Sequence, residues 1–202
     1  MSVPVPMRQL RCDARRNRER VIEAARDALA EYGLSAQMDD IARRAGVGVG
    51  TVYRHFPTKD ALVGELVRRK LTGFADLARR SLEHDDGDPW EAFASLLRAQ
   101  AELAERDAAV QRVTWLASPA AVEHAQPAIR ELREVMDAVI ARAKAAGVVR
   151  ADLTTDDIRA LFSGLGGMMA ADAHGLLPCD WRRQLEFSLE GMRPAGTRAG
   201  SL

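Results

Sequence analysis

The sequence predicts an all-α protein, and three observations lead to this fold class. Of the 202 residues, 35 are Ala, the strongest helix former, and Leu, Arg and Glu are also abundant. Apolar residues recur at three- and four-residue spacing in successive segments, as on one face of an amphipathic helix. No segment of useful length alternates apolar and polar residues as a half-buried strand does. A chain of this length forms one large or two small domains with a real core.

The N-terminal part predicts four helices separated by short breaks. We expect them over residues 17–32, 38–45, 49–55 and 58–82. Gly33 and Gly46 follow the first two helices, where glycine adopts a left-handed conformation without a Cβ clash. Pro57 ends the third helix, and Gly73 leaves the continuity of the fourth open.

The C-terminal part predicts longer helices with larger apolar side chains. We expect them over residues 90–103, 107–117, 129–146, 155–169 and 181–192. Loops are expected at 84–89 and 175–178, and the two prolines Pro119 and Pro127 predict a break between residues 118 and 127. Thr154 or Thr155 is the expected N-cap of the fourth of these helices.

The net charge of zero conceals an asymmetry between the two ends of the chain. Residues 1–80 carry 16 Lys and Arg against 10 Asp and Glu, whereas residues 81–202 carry 13 against 19. A basic end joined to an acidic remainder indicates that the basic end meets an anion such as nucleic acid or a membrane surface. From charge alone, a solvated arm that only aids solubility is an equally good interpretation.

Composition argues against several other classes. The longest apolar run is far shorter than the ~20 residues of a membrane span, and the N-terminus lacks the apolar core of a signal peptide. Two cysteines, Cys12 and Cys179, form neither a disulfide framework nor a zinc site by themselves. We therefore expect a cytoplasmic protein that holds no metal and no cofactor and meets no membrane.

Residues 38–60, MDDIARRAGVGVGTVYRHFPTKD, have the features of a helix-turn-helix. Ala42 and Ala45 are small where two helices must approach closely, and Gly46 permits the tight turn. Ile41 and Val52 are expected in the core, while the second helix presents a series of hydrogen-bonding side chains. Lys59 stands at the start of the next helix, where both an ammonium and free amides favour a phosphate.

In this region the chain resembles the DNA-binding domain of TetR-type (TetR/AcrR) transcriptional regulators. The resemblance covers residues 15–66 and rests on Glu31-Tyr-Gly33, Met38-Asp-Asp-Ile-Ala42, Ala45-Gly-Val47, Gly50-Thr-Val-Tyr-Arg-His-Phe56 and Lys59-Asp-Ala-Leu62. Residues 90–103 and 146–153 are similar to one subgroup of these regulators. The resemblance implies a basic arm at 1–14, a DNA-binding domain at 15–60, a helical effector-binding and dimerisation domain at 61–193 and a flexible tail at 194–202.

The resemblance also implies which residues contact double-stranded operator DNA. They are Gln37, Met38, Val49, Gly50, Thr51, Tyr53, Arg54, His55 and Lys59. Tyr53 as a packing residue and His55 as a helix-end cap are the alternatives, and the surrounding motif and charge favour DNA contact. Gly48 departs from the family pattern, which often has Ser or Thr there as the cap of the recognition helix; glycine costs a few tenths of a kcal/mol.

For the C-terminal domain the resemblance implies an effector pocket and a homodimer. Large and deformable apolar residues are the candidate pocket for a small, mostly apolar effector; they are Trp90, Phe93, Leu97, Trp115, Met136, Val139, Phe162 and Met168. Ordinary core packing is the alternative for each of them. The last two helices are the candidate dimer interface, through Leu161, Gly164, Leu165, Trp181, Leu185, Ser188, Leu189 and Met192.

These interpretations together predict a ligand-responsive DNA-binding regulator, most simply a repressor released from a palindromic operator by a small molecule. The alternative is an all-α small-molecule-binding protein whose basic end contacts membrane or protein. We do not expect an enzyme, because the sequence has neither a phosphate-binding loop ending in Lys-Ser/Thr nor a Gly-x-Ser-x-Gly elbow.

Overall fold

The computed structural model describes residues 7–83, 87–106, 117–172 and 180–194, with side chains from residue 13 onward. This part of the chain contains eight α-helices and no strand, which confirms the predicted all-α class. The helices are α1 (Met7–Tyr32), α2 (Met38–Ala45), α3 (Val49–His55), α4 (Lys59–Glu83), α5 (Pro89–Arg106), α6 (Pro119–Ala145), α7 (Thr155–Asp172) and α8 (Trp181–Met192). The helix expected over 107–117 and the break expected at 175–178 lie almost entirely outside the described residues.

Helices α1, α2 and α3 form a small N-terminal unit, the headpiece. Gly46 has φ +62°, so the turn between α2 and α3 uses the left-handed conformation expected of it. The apolar faces of the three helices meet the first half of α4 in one core. This headpiece core is rich in alanine, and its fully buried larger side chains are Val21, Leu29, Ile41, Val52 and Leu62.

Helix α1 is longer than the sequence pattern indicated. It begins at Met7, so residues 7–14, expected as part of a flexible arm, are helical. The expectation rested on the apolar face, which starts only at Val21 and therefore marks where α1 enters the core. The polar first half of a helix carries no such periodic signal.

Helix α4 is continuous through Gly73 and connects the headpiece to the rest of the molecule. Its first turn is capped by Thr58, whose hydroxyl oxygen accepts a hydrogen bond from the Ala61 amide at 3.1 Å. The first half of α4 packs in the headpiece core, and its second half contributes Phe74 and Ala78 to a second core with α5, α6, α7 and α8. This second core, the effector-domain core, contains Trp90, Phe93, Met136, Met169 and Trp181.

Helix α6 corrects the prediction of a break between residues 118 and 127. Ser118 caps the helix by accepting a hydrogen bond from the Ala121 amide at 3.1 Å, and Pro119 occupies the first turn, where its missing N–H costs nothing. Pro127 lies inside the helix. Apolar packing on both sides of Pro127, through Ala125 and Ala128, holds the helix across it.

Candidate nucleic-acid interface and effector cavity

Helix α3 presents an open face on one side and a buried one on the other. Val52 is fully buried, whereas Val49, Gly50, Tyr53 and Arg54 are exposed. Val49 and Tyr53 are large apolar or aromatic residues with 42% and 47% of their surface accessible. An exposed mixed face of this kind, with a guanidinium and a phenol beside a β-branched side chain, suits the floor of the DNA major groove.

Glycine leaves room at the N-terminal end of this face. A Cβ added to Gly50 or to Gly48 would meet no atom of the protein within 4 Å. Gly48 is the N-cap of α3 and supplies no side-chain hydrogen bond, as its departure from the family pattern predicted. Open space beside free backbone amides allows close approach of an anionic backbone.

Two further predicted residues of α3, Thr51 and His55, are half-buried. Burial lowers the pKa of His55, and the nearby charges of Arg18 and Arg54 lower it further. The lowered pKa favours the neutral form of the His55 imidazole in the free protein. A neutral imidazole donates one hydrogen bond to a phosphate but adds no full charge.

The remaining predicted contacts lie at the starts of α2 and α4. Gln37 is exposed, but the Met38 side chain is 6% accessible and belongs to the headpiece core, so a contact through it is wrong. The apolar Met38 side chain packs in the core beneath α2. Lys59 donates a hydrogen bond to the Leu34 carbonyl and fastens the start of α4 to the segment after α1.

An ion-pair cluster around Glu65 joins α1 to α4. The Glu65 carboxylate accepts hydrogen bonds from Arg68 and Arg69 at 2.7–2.9 Å and lies 3.1 Å from the Arg18 guanidinium. Arg69 also binds Glu19 of α1 at 2.6 and 2.7 Å. Burial raises the pKa of Glu65, but the hydrogen bonds from Arg68 and Arg69 and the charge of Arg18 outweigh burial and lower the pKa to about 2.

A cavity of about 520 Å³ lies between α4, α5, α6 and α7. Its size is within the usual range of small-molecule sites. Most of the described lining is apolar, and four side chains in it are charged. The lining includes Lys70, Leu71, Phe74, Gln100, Leu132, Arg133, Met136, Asp156, Arg159 and Phe162.

Of the predicted pocket residues that the structure describes, Met136 and Phe162 line this cavity. Trp90, Phe93, Leu97 and Val139 are buried in the effector-domain core, Met168 packs against that core, and Trp115 lies outside the described residues. For the residues off the cavity, ordinary packing describes the structure better than ligand contact. Helical periodicity shows that a side chain faces inward, but it does not distinguish a filled core from the wall of a cavity.

The predicted dimer residues of α7 and α8 are mostly core residues of their own protomer. Leu165, Trp181, Leu185, Leu189 and Met192 are at most 7% exposed and pack in the effector-domain core, which corrects their assignment to an interface. Leu161 and Ser188 are half-buried and Gly164 is exposed. The stripe of apolar residues on α8 therefore attaches this helix to its own domain.

The opposite faces of α7 and α8 remain exposed. Phe187 on α8 is 60% exposed, the largest value among the exposed large apolar residues described, and the Arg183 guanidinium lies 5.3 Å from its ring centroid. On the same side of α7, Ala160 and Gly164 are exposed and Gly167 is half-buried, and all three are small. We call the surface formed by Ala160, Gly164, Gly167 and Phe187 the outer α7–α8 face.

Sequence reasoning overlooked Glu65, Lys70 and Phe187. Lys70 follows Val63 and Val67 at helical spacing and precedes Phe74, so its position on an apolar stripe is visible in the sequence. Phe187 stands two residues after Leu185, on the other side of its helix. An isolated charge on an apolar stripe and an isolated aromatic on a polar face are the signals that mark these positions.

Family and structural comparisons agree with this arrangement. Residues 21–66 match the family model of bacterial regulatory proteins of the tetR family, and residues 88–194 match the C-terminal domain of SbtR-like transcriptional regulators. A TetR regulator from Mycobacterium vanbaalenii is 35% identical, with a TM-score of 0.59 over 91% of this chain and 99% of its own. The fatty acid degradation regulator FadR from Bacillus halodurans, 22% identical over 91% of this chain and 97% of its own, shares the fold with a TM-score of 0.72.

A curated relative matches less than half of the chain. The HTH-type transcriptional regulator YvdT of Bacillus subtilis is 33% identical over 89 residues, which are 44% of this chain and 45% of that protein. The chain thus spans less than half the length of this relative in the match. In the described part of the chain, no helix combines the length and apolar character needed to cross a bilayer.

A helix-turn-helix headpiece with an exposed recognition helix, joined by a long helix to a larger helical domain, defines a DNA-binding transcriptional regulator. The family models account for both parts, and one solved relative covers nearly the whole chain above 30% identity. The chain belongs to the TetR family of bacterial transcriptional regulators, a family of regulators and not of enzymes.

Proposed function

We propose that the protein is a homodimeric, ligand-responsive repressor that acts in the cytoplasm on a palindromic operator. The observation that carries this proposal is the exposed face of α3, formed by Val49, Gly50, Tyr53 and Arg54 above a sealed headpiece core. In this proposal Arg54 and Val49 reach base edges, whereas Tyr53, Thr51 and the amides beside Gly48 meet phosphates. Gln37, His55 and Lys59 add backbone contacts around them.

Duplex binding at graded salt tests the DNA interface. Selection of genomic fragments by the purified protein identifies the operator, and affinity for it should fall steeply with salt because phosphate contacts release counterions. Arg54→Ala should lower the affinity of the protein for the operator and reduce its preference for the operator over random duplex DNA. Arg130→Ala, which changes an exposed arginine of α6, is the matched control. Absence of duplex binding at low salt without ligand would contradict the proposal.

For the dimer we propose the outer α7–α8 face as the surface that meets its counterpart in a second protomer. Small side chains at Ala160, Gly164 and Gly167 allow two helix backbones to come close, and Phe187 supplies an exposed aromatic anchor. A two-fold axis through this face makes the contact self-complementary. It also pairs two recognition helices with two half-sites of an operator, about one helical turn apart.

Sedimentation of two Phe187 variants tests this surface. Phe187→Asp should give a folded monomer with weak operator binding, because the apolar anchor is lost and a carboxylate would have to give up its water in the interface. Phe187→Leu keeps an apolar side chain and should remain dimeric. If the Asp variant is folded and dimeric, the interface lies elsewhere. Leu185 is unsuitable for this test, because it is 1% exposed within its own protomer and a charge there would destabilise the fold itself.

The effector response in this proposal passes through α4. The helix lines the cavity with Lys70, Leu71 and Phe74. Leu66, four residues before Lys70 on the same helix, belongs to the headpiece core. A ligand that binds one position of α4 better than another shifts the headpiece between two spacings. By linkage, the ligand then weakens DNA affinity by the same factor by which DNA weakens ligand affinity.

A further inference from the structure

The interior cavity is lined by two kinds of surface. Leu71, Phe74, Leu132, Met136 and Phe162 provide an apolar wall drawn from three different helices. The rings of Phe74 and Phe162 lie 6.3 Å apart between centroids. This wall fits an apolar ligand body, and the thioether of Met136 adapts to its shape.

The charged part of the described lining has an excess of cations. Lys70, Arg133 and Arg159 are cationic, and Asp156 is the acid among them. Asp156 lies 3.0 Å from Arg133 and 3.3 Å from Arg159, so one carboxylate serves two guanidinium groups. All three of these side chains are more than half exposed, which places them where the cavity meets solvent and where a positive field attracts anions.

Lys70 extends the positive character into the interior. Its ammonium lies 5.6 Å from the centroid of the Phe74 ring. On the same wall, the buried Gln100 amide donates to the Phe74 carbonyl at 3.4 Å and contacts the Met136 sulfur at 3.7 Å. Burial lowers the pKa of Lys70 to about 8, so the ammonium form still predominates at pH 7.

We propose that the cavity binds an amphipathic monoanion, an apolar body bearing one carboxylate or sulfonate group, with the anionic group at the Lys70 Nζ. The apolar body lies against Phe74, Met136 and Phe162, and Arg133 and Arg159 favour entry of the anion. An uncharged molecule of the same shape gains nothing from the three cations. This inference deepens the proposed function, on which it rests only for the consequence of binding and not for binding itself.

A pair of fluorescent probes that differ in one charge tests the anionic requirement. 8-Anilinonaphthalene-1-sulfonate and N-phenyl-1-naphthylamine share the same aromatic body, and only the first carries an anion. We expect Lys70→Met to lower the affinity for the sulfonate probe tenfold or more and to change the affinity for the neutral probe by less than twofold. Lys144→Met, the same substitution on a surface of α6 outside this cavity, should change neither affinity. Decanoate should displace the sulfonate from the wild type at one tenth or less of the concentration of decan-1-ol required.

Several results would overturn the inference. In Lys70→Met, these results are an equal loss of affinity for both probes or an unchanged affinity for the sulfonate. In the folded wild type, they are displacement of the sulfonate by decan-1-ol as effectively as by decanoate, or no binding of any of these anions. If circular dichroism shows that Lys70→Met is unfolded, Lys70→Gln removes the charge while keeping a polar end, and the same criteria apply to it. Operator binding by the same preparation is measured in parallel. If one of these results is obtained while DNA binding is intact, the inference fails and the proposed function stands. If anion binding depends on Lys70 but the protein does not bind DNA, the inference stands and the proposed function fails.

Discussion

The two cores of the molecule are built from different side chains. The headpiece core contains eight buried alanines and a single aromatic residue, Phe56, among its buried members. The effector-domain core contains Phe74, Trp90, Phe93 and Trp181 together with three buried methionines. Alanines let helix backbones approach closely and hold them in one arrangement, whereas large and flexible side chains adapt to one another and border a cavity. The difference separates a closely packed headpiece unit from an effector-domain unit that borders a cavity.

Helices α4 and α6 belong to both units. Leu62, Val63 and Leu66 of α4, and Ala121 and Ala125 of α6, are members of the headpiece core, while later turns of the same helices border the cavity. The headpiece core therefore extends past residue 61, where the sequence placed a domain boundary. Changes at the crossing of α4 and α6 should disturb both units, and changes farther away should disturb only one.

The largest effect is expected from Gly64→Ala at this crossing. A Cβ on Gly64 would lie 2.5 Å from the His124 Cβ and 2.7 Å from the Ala121 carbonyl oxygen, so the two helix backbones must separate. Overpacking of this kind costs about 3 kcal/mol, or roughly 10 °C in melting temperature for a chain of this size. Thermal unfolding measures it.

Gly73→Ala in the same helix is the control for that loss. The added Cβ would meet only the Leu103 Cδ2 at 3.7 Å, an ordinary contact, and alanine favours the helix by up to about 1 kcal/mol. Gly73→Ala should therefore be neutral or stabilising. Equal stability of the two variants would show that α4 and α6 do not need close approach at Gly64.

The next effect concerns the ion-pair cluster around Glu65, which joins α1 to α4. Because the folded-state pKa of Glu65 is about 2, below its ordinary value of 4.5, its charge stabilises the fold above pH 4.5 and this stabilisation is lost as pH falls towards 2. Glu65→Gln should cost about 2 kcal/mol at pH 7, a reduced value because Arg18, Arg68 and Arg69 remain partly hydrated.

Denaturant unfolding between pH 2.5 and 7 measures this contribution. The variant should lose less stability on acidification than the wild type does. Glu23→Gln, which changes an exposed glutamate of α1, should follow the wild-type curve. A Glu65→Gln curve parallel to the wild type would mean that the cluster does not hold α1 against α4.

The headpiece was predictable from the sequence because its constraints are local. Gly46 marks the left-handed turn, Thr58 caps α4, and α2 and α3 have the bounds that the pattern predicted. Chain neighbours supply all the information for such features. Met38 was misassigned because its place in the motif says nothing of the depth of its side chain.

The effector domain was less predictable because its site depends on helices far apart in the chain. Spacing identified the inward faces of α5 to α8, but only three-dimensional packing distinguishes Phe162 at the cavity from Phe93 in the filled core. The same ambiguity assigned Leu185 to a dimer interface. A proline at the first turn of a helix also reads as a break, although Pro119 begins α6.

A smaller effect, confined to the headpiece, is expected from Gly50→Ala. The new methyl group meets no protein atom and lies on the exposed face of α3, so stability should rise by at most about 1 kcal/mol. On the proposed function the methyl occupies space used by DNA, and operator affinity should fall about tenfold. Gly73→Ala should leave operator affinity unchanged. Unaltered DNA binding by Gly50→Ala would remove this end of α3 from the interface.

The smallest effect expected is a pH dependence at His55. Burial and the charges of Arg18 and Arg54 lower its folded-state pKa below the ordinary value of 6.5, so the unfolded chain binds the proton more readily. Stability from the neutral imidazole is therefore complete above pH 6.5 and is lost as pH falls through the lowered folded-state pKa. Between pH 7.5 and 5.5 the wild type should lose more stability than His55→Gln. Identical slopes for His55→Gln and the wild type would mean that the recognition helix holds His55 with no preference for its neutral form.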